Sequence, residues 1–292
     1  MEKRTIVTHP GIFHADDLFA VATMMMLGIE FDIIRTRDPE AVEKADFKID
    51  IGGKYDWYTR CYDHHQDHNE IRDNGIPYAS FGLIWKHFGH VICQSDPVAK
   101  IVDRNLVQII DAGDTGIKLT TPLIKGVRPL EIAWIVYDLN PWDVDNPDYD
   151  RAFMDALPFA RTIISNQIRR ADSIAKMRPI VRRAIEESMD ERVVVLENET
   201  GPWQDILVNE TNALFVIFRS TEGDWKVQCV PKEVGSFDMR KSLPSNWAGL
   251  KDDDLSTITG VQGCIFCHKK LFIAGNKTRY GAVKLAKLAF KE

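Results

Sequence analysis

The sequence predicts an α/β protein: a mostly parallel sheet in an N-terminal catalytic domain, then a smaller α+β domain, with the active site in the cleft between them. Three observations carry this. Strand-like and helix-like segments alternate through the first part of the chain, acids and histidines fall at or just past the C-terminal ends of several apolar runs, and a second β-rich region follows a long helical stretch. In open sheets of this kind ligands bind outside the carboxyl ends of the strands.

Taken in order, residues 5–8, 31–34 and 47–50 are short runs of β-branched and apolar residues and read as strands, as does the Ile109-Ile110 pair. Residues 16–27, 78–87 and 98–107 carry apolar side chains at helical spacing. Residues 140–147 are polar and hold two prolines, which marks a loop. Residues 150–190 then read as one long helical region, which Pro179 is expected to bend or interrupt. Strand-like runs follow at 192–196, 214–218, 225–230 and 264–268, before a last helix at 278–290. The expected domains are 1–190, including a helical linker region from about 146, and 191–292, a substrate-binding domain.

Bulk properties narrow the function. A chain of 292 residues with 45% hydrophobic content can bury a large core. It has no run of 18 apolar residues and enters a strand almost at once, so the expectation is a cytoplasmic protein beginning at Met1, without a membrane partner. Five widely spaced cysteines fit a reducing compartment, and Cys264-Ile-Phe-Cys267, without a second pair, reads as buried strand residues rather than a zinc or redox motif. A net charge of −6 argues against coating nucleic acid through overall charge. Locally, however, Lys269, Lys270, Lys277, Arg279, Lys284, Lys287 and Lys291 occur with no acid among them, while the early region is acidic. A polyanion gripped at one end and cut at the other would suit that asymmetry.

The chemistry lies in four early clusters: His9-Pro-Gly-Ile-Phe-His14-Ala-Asp16-Asp17, Asp50-Ile-Gly-Gly, Asp63-His64-His65 and Asp111-Ala-Gly-Asp114. They offer imidazole nitrogens and carboxylate oxygens without a nearby cysteine pair, which suits Mn²⁺, Mg²⁺ or a similar hard ion. That points to a metal-dependent hydrolase. Acids at a helix start are also favoured by the macrodipole, and this plainer role suits Asp17 better than His14 or Asp16. A second candidate site spans 263–279, where Gly275 and Asn276 form a loop with Lys277 and Arg279 ahead of a helix, and His268 lies in a strand. The plainer alternative is a hairpin and capped helix with solvated lysines. Arg35 and Arg37 read as salt-bridge or domain-contact residues ahead of phosphate ligands. Trp203, Trp225 and Trp247 are candidates for base stacking, or core.

The chain also resembles the DHH phosphoesterases, a superfamily that includes RecJ-type exonucleases and manganese pyrophosphatases. It resembles more closely the MYG exonuclease family (melanocyte proliferating gene family). The stretches that carry this are Thr8-His-Pro-Gly-Ile-Phe-His-Ala-Asp-Asp17, Arg35-Thr-Arg-Asp-Pro39, Asp50-Ile-Gly-Gly53, Tyr62-Asp-His-His-Gln66, Val227-Gln-Cys-Val-Pro-Lys232 and the segment from Gly263 to Arg279. Departures from the family pattern are Asp17, for Glu, and Ala274, for Gly.

The resemblance implies a two-metal centre in which His9, His14 and Asp50 hold one ion and Asp16, His64 and Asp114 the other, with Asp50 bridging and Asp111 competing with Asp114. Asp63 would accept a histidine N–H, and His65 would face the substrate, so the catalytic set is His64, His65, Asp63 and Asp16. His268, Gly275, Asn276, Lys277 and Arg279 would grip the substrate, as His65 would from the centre. Two ions about 3.5–4 Å apart can share a water and clamp a phosphoryl group. The implied activity is a 3′–5′ exonuclease on RNA or short single-stranded oligonucleotides, by in-line attack of a metal-bridging hydroxide, with Mn²⁺ first and Mg²⁺ or Co²⁺ as alternatives. The alternatives are a small-molecule phosphoesterase acting on a cyclic dinucleotide, nanoRNA or pyrophosphate, and a non-catalytic metal-binding regulator. The oligomeric state, including a homo-oligomer, is left open.

Overall fold

A computed structural model describes residues 3–66, 70–142, 145–197 and 203–290. Met1, Lys291 and residues 143 and 144 of the predicted loop lie outside the described residues. The chain divides into two compact units, Met1–Ala171 and Asp172–Glu292.

Unit 1 follows the predicted alternation: β1 (Arg4–Thr8), α1 (Ala15–Met25), β2 (Phe31–Arg35), α2 (Pro39–Lys44), β3 (Phe47–Ile49), β4 (Tyr55–Asp56), β5 (Cys61–Tyr62), α3 (Ser80–Cys93), α4 (Asp96–Val102), a π-helical turn (Asp103–Val107), α5 (Gln108–Asp114), α6 (Ile132–Tyr137) and α7 (Tyr149–Glu186). The sheet order is β2-β1-β3-β5-β4. β1 pairs in parallel with β2 and β3, β3 pairs in parallel with β5, and only β4 is antiparallel among these described pairs. Helix starts are set by short polar side chains: Asp38 accepts from Ala41 N ahead of α2, and Ser95 from Val98 N ahead of α4.

Helix α1 is buried around its whole circumference from Ala15 to Met24, the mark of a helix at the centre of a core. It packs on α3 through the Phe19 and Phe81 rings, 5.6 Å apart, and Phe13 meets Phe153 of α7 edge-on at 5.5 Å. Its first turn nonetheless holds two acids, Asp16 and Asp17, both wholly buried. Such burial is unfavourable unless partners are supplied.

Two sequence expectations, one in unit 1 and one in the part of α7 beyond Ala171, are corrected. The Ile109-Ile110 pair lies in α5 rather than in a strand. Buried Val102, Leu106 and Ile110 recur every fourth residue, so the pair belongs to a helical stripe that two apolar residues alone cannot distinguish from a strand. Pro179 does not interrupt α7, which continues through both Pro158 and Pro179. Each proline removes one N–H, but the turns around it keep theirs.

Unit 2 contains β6 (Val193–Leu196), α8 (Gln204–Glu210), β7 (Phe215–Arg219), β8 (Trp225–Cys229), α9 (Asp252–Thr259), β9 (Cys264–Cys267), β10 (Ile273–Asn276) and α10 (Arg279–Ala289). Its sheet order is β6-β7-β8-β10-β9, with β6 parallel to β7 and the other pairs antiparallel. Strand alternation divides the side chains between two faces. Val193, Phe215 and Ile217 pack with Ala282 and Leu285 of α10, while Val194, Leu196, Val216 and Phe218 pack with Val181 of α7 and Ile206 of α8.

The cysteines are free, and Cys264 and Cys267 are buried in β9 as expected. Two further expectations are corrected. His268 falls just past β9, and Gly275-Asn276, expected in a loop, belongs to β10. Among the described residues no helix is long and apolar enough to cross a membrane.

Candidate metal centre

The sheet of unit 1 explains why distant clusters meet. From β1 the chain passes through α1 to β2 on one side, then through α2 to β3 on the other side of β1. Connections therefore leave β1 and β3 in opposite directions, and a crevice opens at their carboxyl ends. His9 follows β1, Asp50 follows β3, and Asp63 and His64 follow β5. Asp16 and Asp17 enter from the start of α1, and Asp114 from the end of α5.

Asp50 is the hub. Its Oδ2 lies 3.4 Å from His9 Nε2, while its Oδ1 lies 3.3 Å from His64 Nε2 and 3.5 Å from His65 Nδ1. The residue holds a left-handed backbone, φ +56°, one position past the end of β3, a conformation that aspartate tolerates better than most residues. Ser80 Oγ donates to Asp50 Oδ1 at 3.2 Å.

His64 Nε2 also lies 3.1 Å from Asp114 Oδ2 and 3.8 Å from Asp16 Oδ2. Asp16 in turn is pinned by two N–H groups at the start of α3, Ser80 N at 2.9 Å and Phe81 N at 2.6 Å. Two triads thus have all their donor atoms within 4.8 Å of one another: Asp50, His64 and His65, and Asp16, His64 and Asp114. His9 Nδ1 sits 3.2 Å from Pro10 O. Donation there turns Nε2 toward Asp50 and Asp17, which favour its protonation, and a cation in their midst would take the Nε2 lone pair instead.

The electrostatics are strained without a cation. Burial lifts the Asp16 pKa well above the carboxylate range, with Asp114 and Asp50 adding to it. Burial likewise pushes Asp17 up to about 7, against the pull of His9. Burial disfavours a charged His64, yet Asp114, Asp50 and Asp16 outweigh it and raise its pKa to about 11. Burial also opposes a charged Asp50, but His64 and His9 hold it far below the usual range. These groups share too few protons for too many acids.

A hard divalent cation resolves that mismatch, and the donors present fit one. They are carboxylates and imidazoles, buried and convergent, and both His64 Nε2 and Asp17 Oδ2 lack a partner in hydrogen-bonding geometry. The group opens onto a cavity of about 1300 Å³ whose lining is confined to unit 1.

Against the sequence expectations, His9, Asp16, Asp50, His64 and Asp114 come together. His14 lines the same cavity but is exposed, its ring 5.9 Å from that of His9, and it joins neither triad. Asp17 takes the nearer place, with Oδ2 3.3 Å from His9 Nε2, while its Oδ1 accepts the His14 N–H at 2.8 Å as a helix-start acid should. Asp63 accepts from Gly53 N at 2.6 Å and from His65 Nδ1 at 2.8 Å, so it orients a histidine, and His65 is itself largely exposed. Asp111 turns away from the triads, held by Arg72 at 2.7 Å and Gly82 N at 3.0 Å.

In unit 2, Asn276 is fully buried: its amide donates to Gln262 O at 3.0 Å and its carbonyl oxygen accepts from Thr278 N at 2.9 Å. Gly275 packs against the Phe266 ring. Lys277, Arg279 and His268 are exposed, with Arg279 3.3 Å from Glu197. Trp203 and Trp247 are core, and Trp225 is partly buried against the same core as Trp247. Arg35 is structural, bonding Asp150 and Gly11 O. The sequence reading missed Ser80, Arg72 and the aromatic wall of Trp134 and Tyr137, since a serine or tryptophan acquires such a role only through its neighbours in space.

Residues 5–290 match the MYG1_exonuc family, described as an uncharacterised protein family (UPF0160). The MYG1 exonuclease of Bos taurus is 34% identical over 334 residues, covering 98% of this chain and 84% of the relative. That of Homo sapiens is 32% identical over 335 residues, covering 98% and 86%. A MYG1 protein of Saccharomyces cerevisiae is 32% identical over 327 residues, covering 98% and 96%.

Proposed function

Because the chain belongs to the MYG1 exonuclease family, we propose that it is a metal-dependent phosphodiesterase, a 3′–5′ exonuclease acting on RNA or short single-stranded oligonucleotides. The observation that carries the reading is Asp50 between two histidines, His9 on one oxygen and His64 on the other, with Asp16 and Asp114 completing the second side. The relatives named exonucleases support a nucleic-acid substrate.

His9, Asp17 and Asp50 would hold one divalent ion and Asp16, His64 and Asp114 the other, with Asp50 available to both and His14 on the wall of the same cavity. Bound there, two ions of the manganese, magnesium or cobalt kind would supply an activated water and a clamp for the phosphoryl oxygens. The chain's own contributions are geometric. Ser80 and Phe81 fix Asp16, Ser80 also steadies Asp50, and Pro10 O sets the tautomer of His9. Asp63 holds the His65 ring toward the cavity mouth, where it can meet a phosphate or pass a proton. Lys277, Arg279 and His268 stay in this reading as exposed polar groups for the polymer's phosphates.

The test offers the purified protein with Mn²⁺ to RNA and single-stranded DNA labelled at either end, to dinucleotides and to pyrophosphate. Stepwise shortening from the 3′ end that His64→Ala abolishes is the expected result. Persistence of every substrate, alike for both proteins, would reject the proposal.

A further inference from the structure

We infer that Trp134 is a stacking platform for the terminal base of the substrate, beside the metal centre. The inference rests on the nucleic-acid reading above and adds the group that reads the base.

Trp134 lies in α6, lines the same cavity as His9, His64 and Asp114, and remains 39% exposed. A large indole left open in a cavity gains from a flat apolar ligand laid against it. The guanidinium of Arg128 lies 3.8 Å from the ring centre and covers one face. Tyr137 meets the indole edge-on at 5.9 Å and also lines the cavity. A base entering the cavity would find an oriented aromatic with a cation behind it, an arrangement that accepts any base and favours an anionic chain.

Two contacts fix this platform relative to the centre. Asn140, just beyond α6, accepts from Phe13 N at 3.0 Å and donates to Phe13 O at 2.9 Å, and Phe13 lies in the loop between His9 and His14. Gly113, next to Asp114, faces the methyl of Ala133, next to Trp134. Opposite charge is supplied as well: Arg37 lines the cavity, is exposed, and pairs with no carboxylate among the described residues. It suits a phosphate of the same nucleotide.

The experiment compares wild type, Trp134→Ala and Trp134→Phe, each with Mn²⁺, on an oligonucleotide, on the same oligonucleotide with an abasic 3′ terminus, and on bis(p-nitrophenyl) phosphate. The expected result is that Trp134→Ala lowers kcat/KM on the normal oligonucleotide on the order of tenfold. It should leave the abasic oligonucleotide and the small diester unchanged, and Trp134→Phe should keep most of the activity. Equal rates for wild type and Trp134→Ala on the normal end would overturn the inference, as would an equal loss on the small diester. If wild type cleaves none of the three, the phosphodiesterase reading itself falls. Quenching of tryptophan fluorescence by adenosine monophosphate, lost in Trp134→Phe, would then still show stacking, and its absence would reject it.

Discussion

Arg72 reaches Asp111 at 2.7 Å with both side chains almost removed from water, 6% and 0% exposed. The guanidinium also rests 3.8 Å from the centre of the Tyr78 ring. One buried pair thereby ties the segment ahead of α3 to α5, the helix that ends in Asp114. Breaking such a pair leaves a buried charge behind.

Arg72→Met should therefore destabilise the protein by about 3–5 kcal/mol at neutral pH. The loss should shrink from pH 8 to pH 5, because burial raises Asp111 to about 7 even with Arg72 in place, so at the lower value it holds a proton in both proteins. Urea unfolding at both pH values checks this, and a loss independent of pH would count against the pair as its cause.

Gly82→Ala should strike the same pair with a smaller loss. A methyl at Gly82 would collide with Asp111 Oδ2 and crowd the Arg72 guanidinium, so the pair must move before the helix can close. Overpacking of this kind typically costs about 1–3 kcal/mol. Thermal melting compared with Gly89→Ala, whose methyl would meet the Trp85 ring rather than an ion pair, separates the two causes: the loss relative to wild type should vary with pH for the Gly82 variant and stay constant for the Gly89 variant.

Asp50→Asn should keep the fold and lose the activity. Asparagine tolerates the left-handed backbone that Asp50 adopts at φ +56°, and it is isosteric, but it removes the charge between His9 and His64. Circular dichroism should be unchanged while calorimetric Mn²⁺ affinity falls at least tenfold, on the order seen when metal-ligand support is removed. Undiminished Mn²⁺ binding would remove Asp50 from the centre.

Chelator-treated protein should lose stability as pH rises from about 4 to 7. Asp17 and Asp111 have folded pKa values raised from 3.8 to about 7. Their contribution is therefore complete below the unfolded value and disappears as pH climbs through the folded one. His64, raised from 6.5 to about 11, adds a further loss above neutrality. Asp50, held below its usual range, works in the opposite sense only in stronger acid. Saturating Mn²⁺ should reverse the trend, because the ligands must shed protons to bind. Chemical denaturation across the range, with and without the ion, measures both slopes.

Much of this centre was legible in the sequence because its donors sit at the ends of strands, where pattern alone locates them. His9 and Asp50 each follow a run that is strongly β-prone, His64 follows the two-residue β5, and the parallel topology carries all three to the carboxyl ends of the sheet. What was not legible depends on side-chain direction. His14 and Asp17 are three residues apart at one helix start, yet the fold turns the acid inward and leaves the histidine on the wall. Asp111 and Asp114 are likewise one helical turn apart, and Arg72 and Gly82, both far away in sequence, decide which of them is diverted. Asn276 looked like a phosphate-loop residue because a Gly-Asn pair before a capped helix is ambiguous. In the fold it braces Gln262 and Thr278 and leaves Gly281 room for nothing larger.

Ser80 acts as a joint. Its amide reaches Asp16 and its hydroxyl reaches Asp50, so a single residue couples one acid from each flank of the crevice to the first turn of α3. A slide or tilt of that helix would carry both acids along together, and neither flank could be retuned while the other stayed still. The start of α3 is therefore a shared support, and a change there reaches both acids before it reaches either histidine.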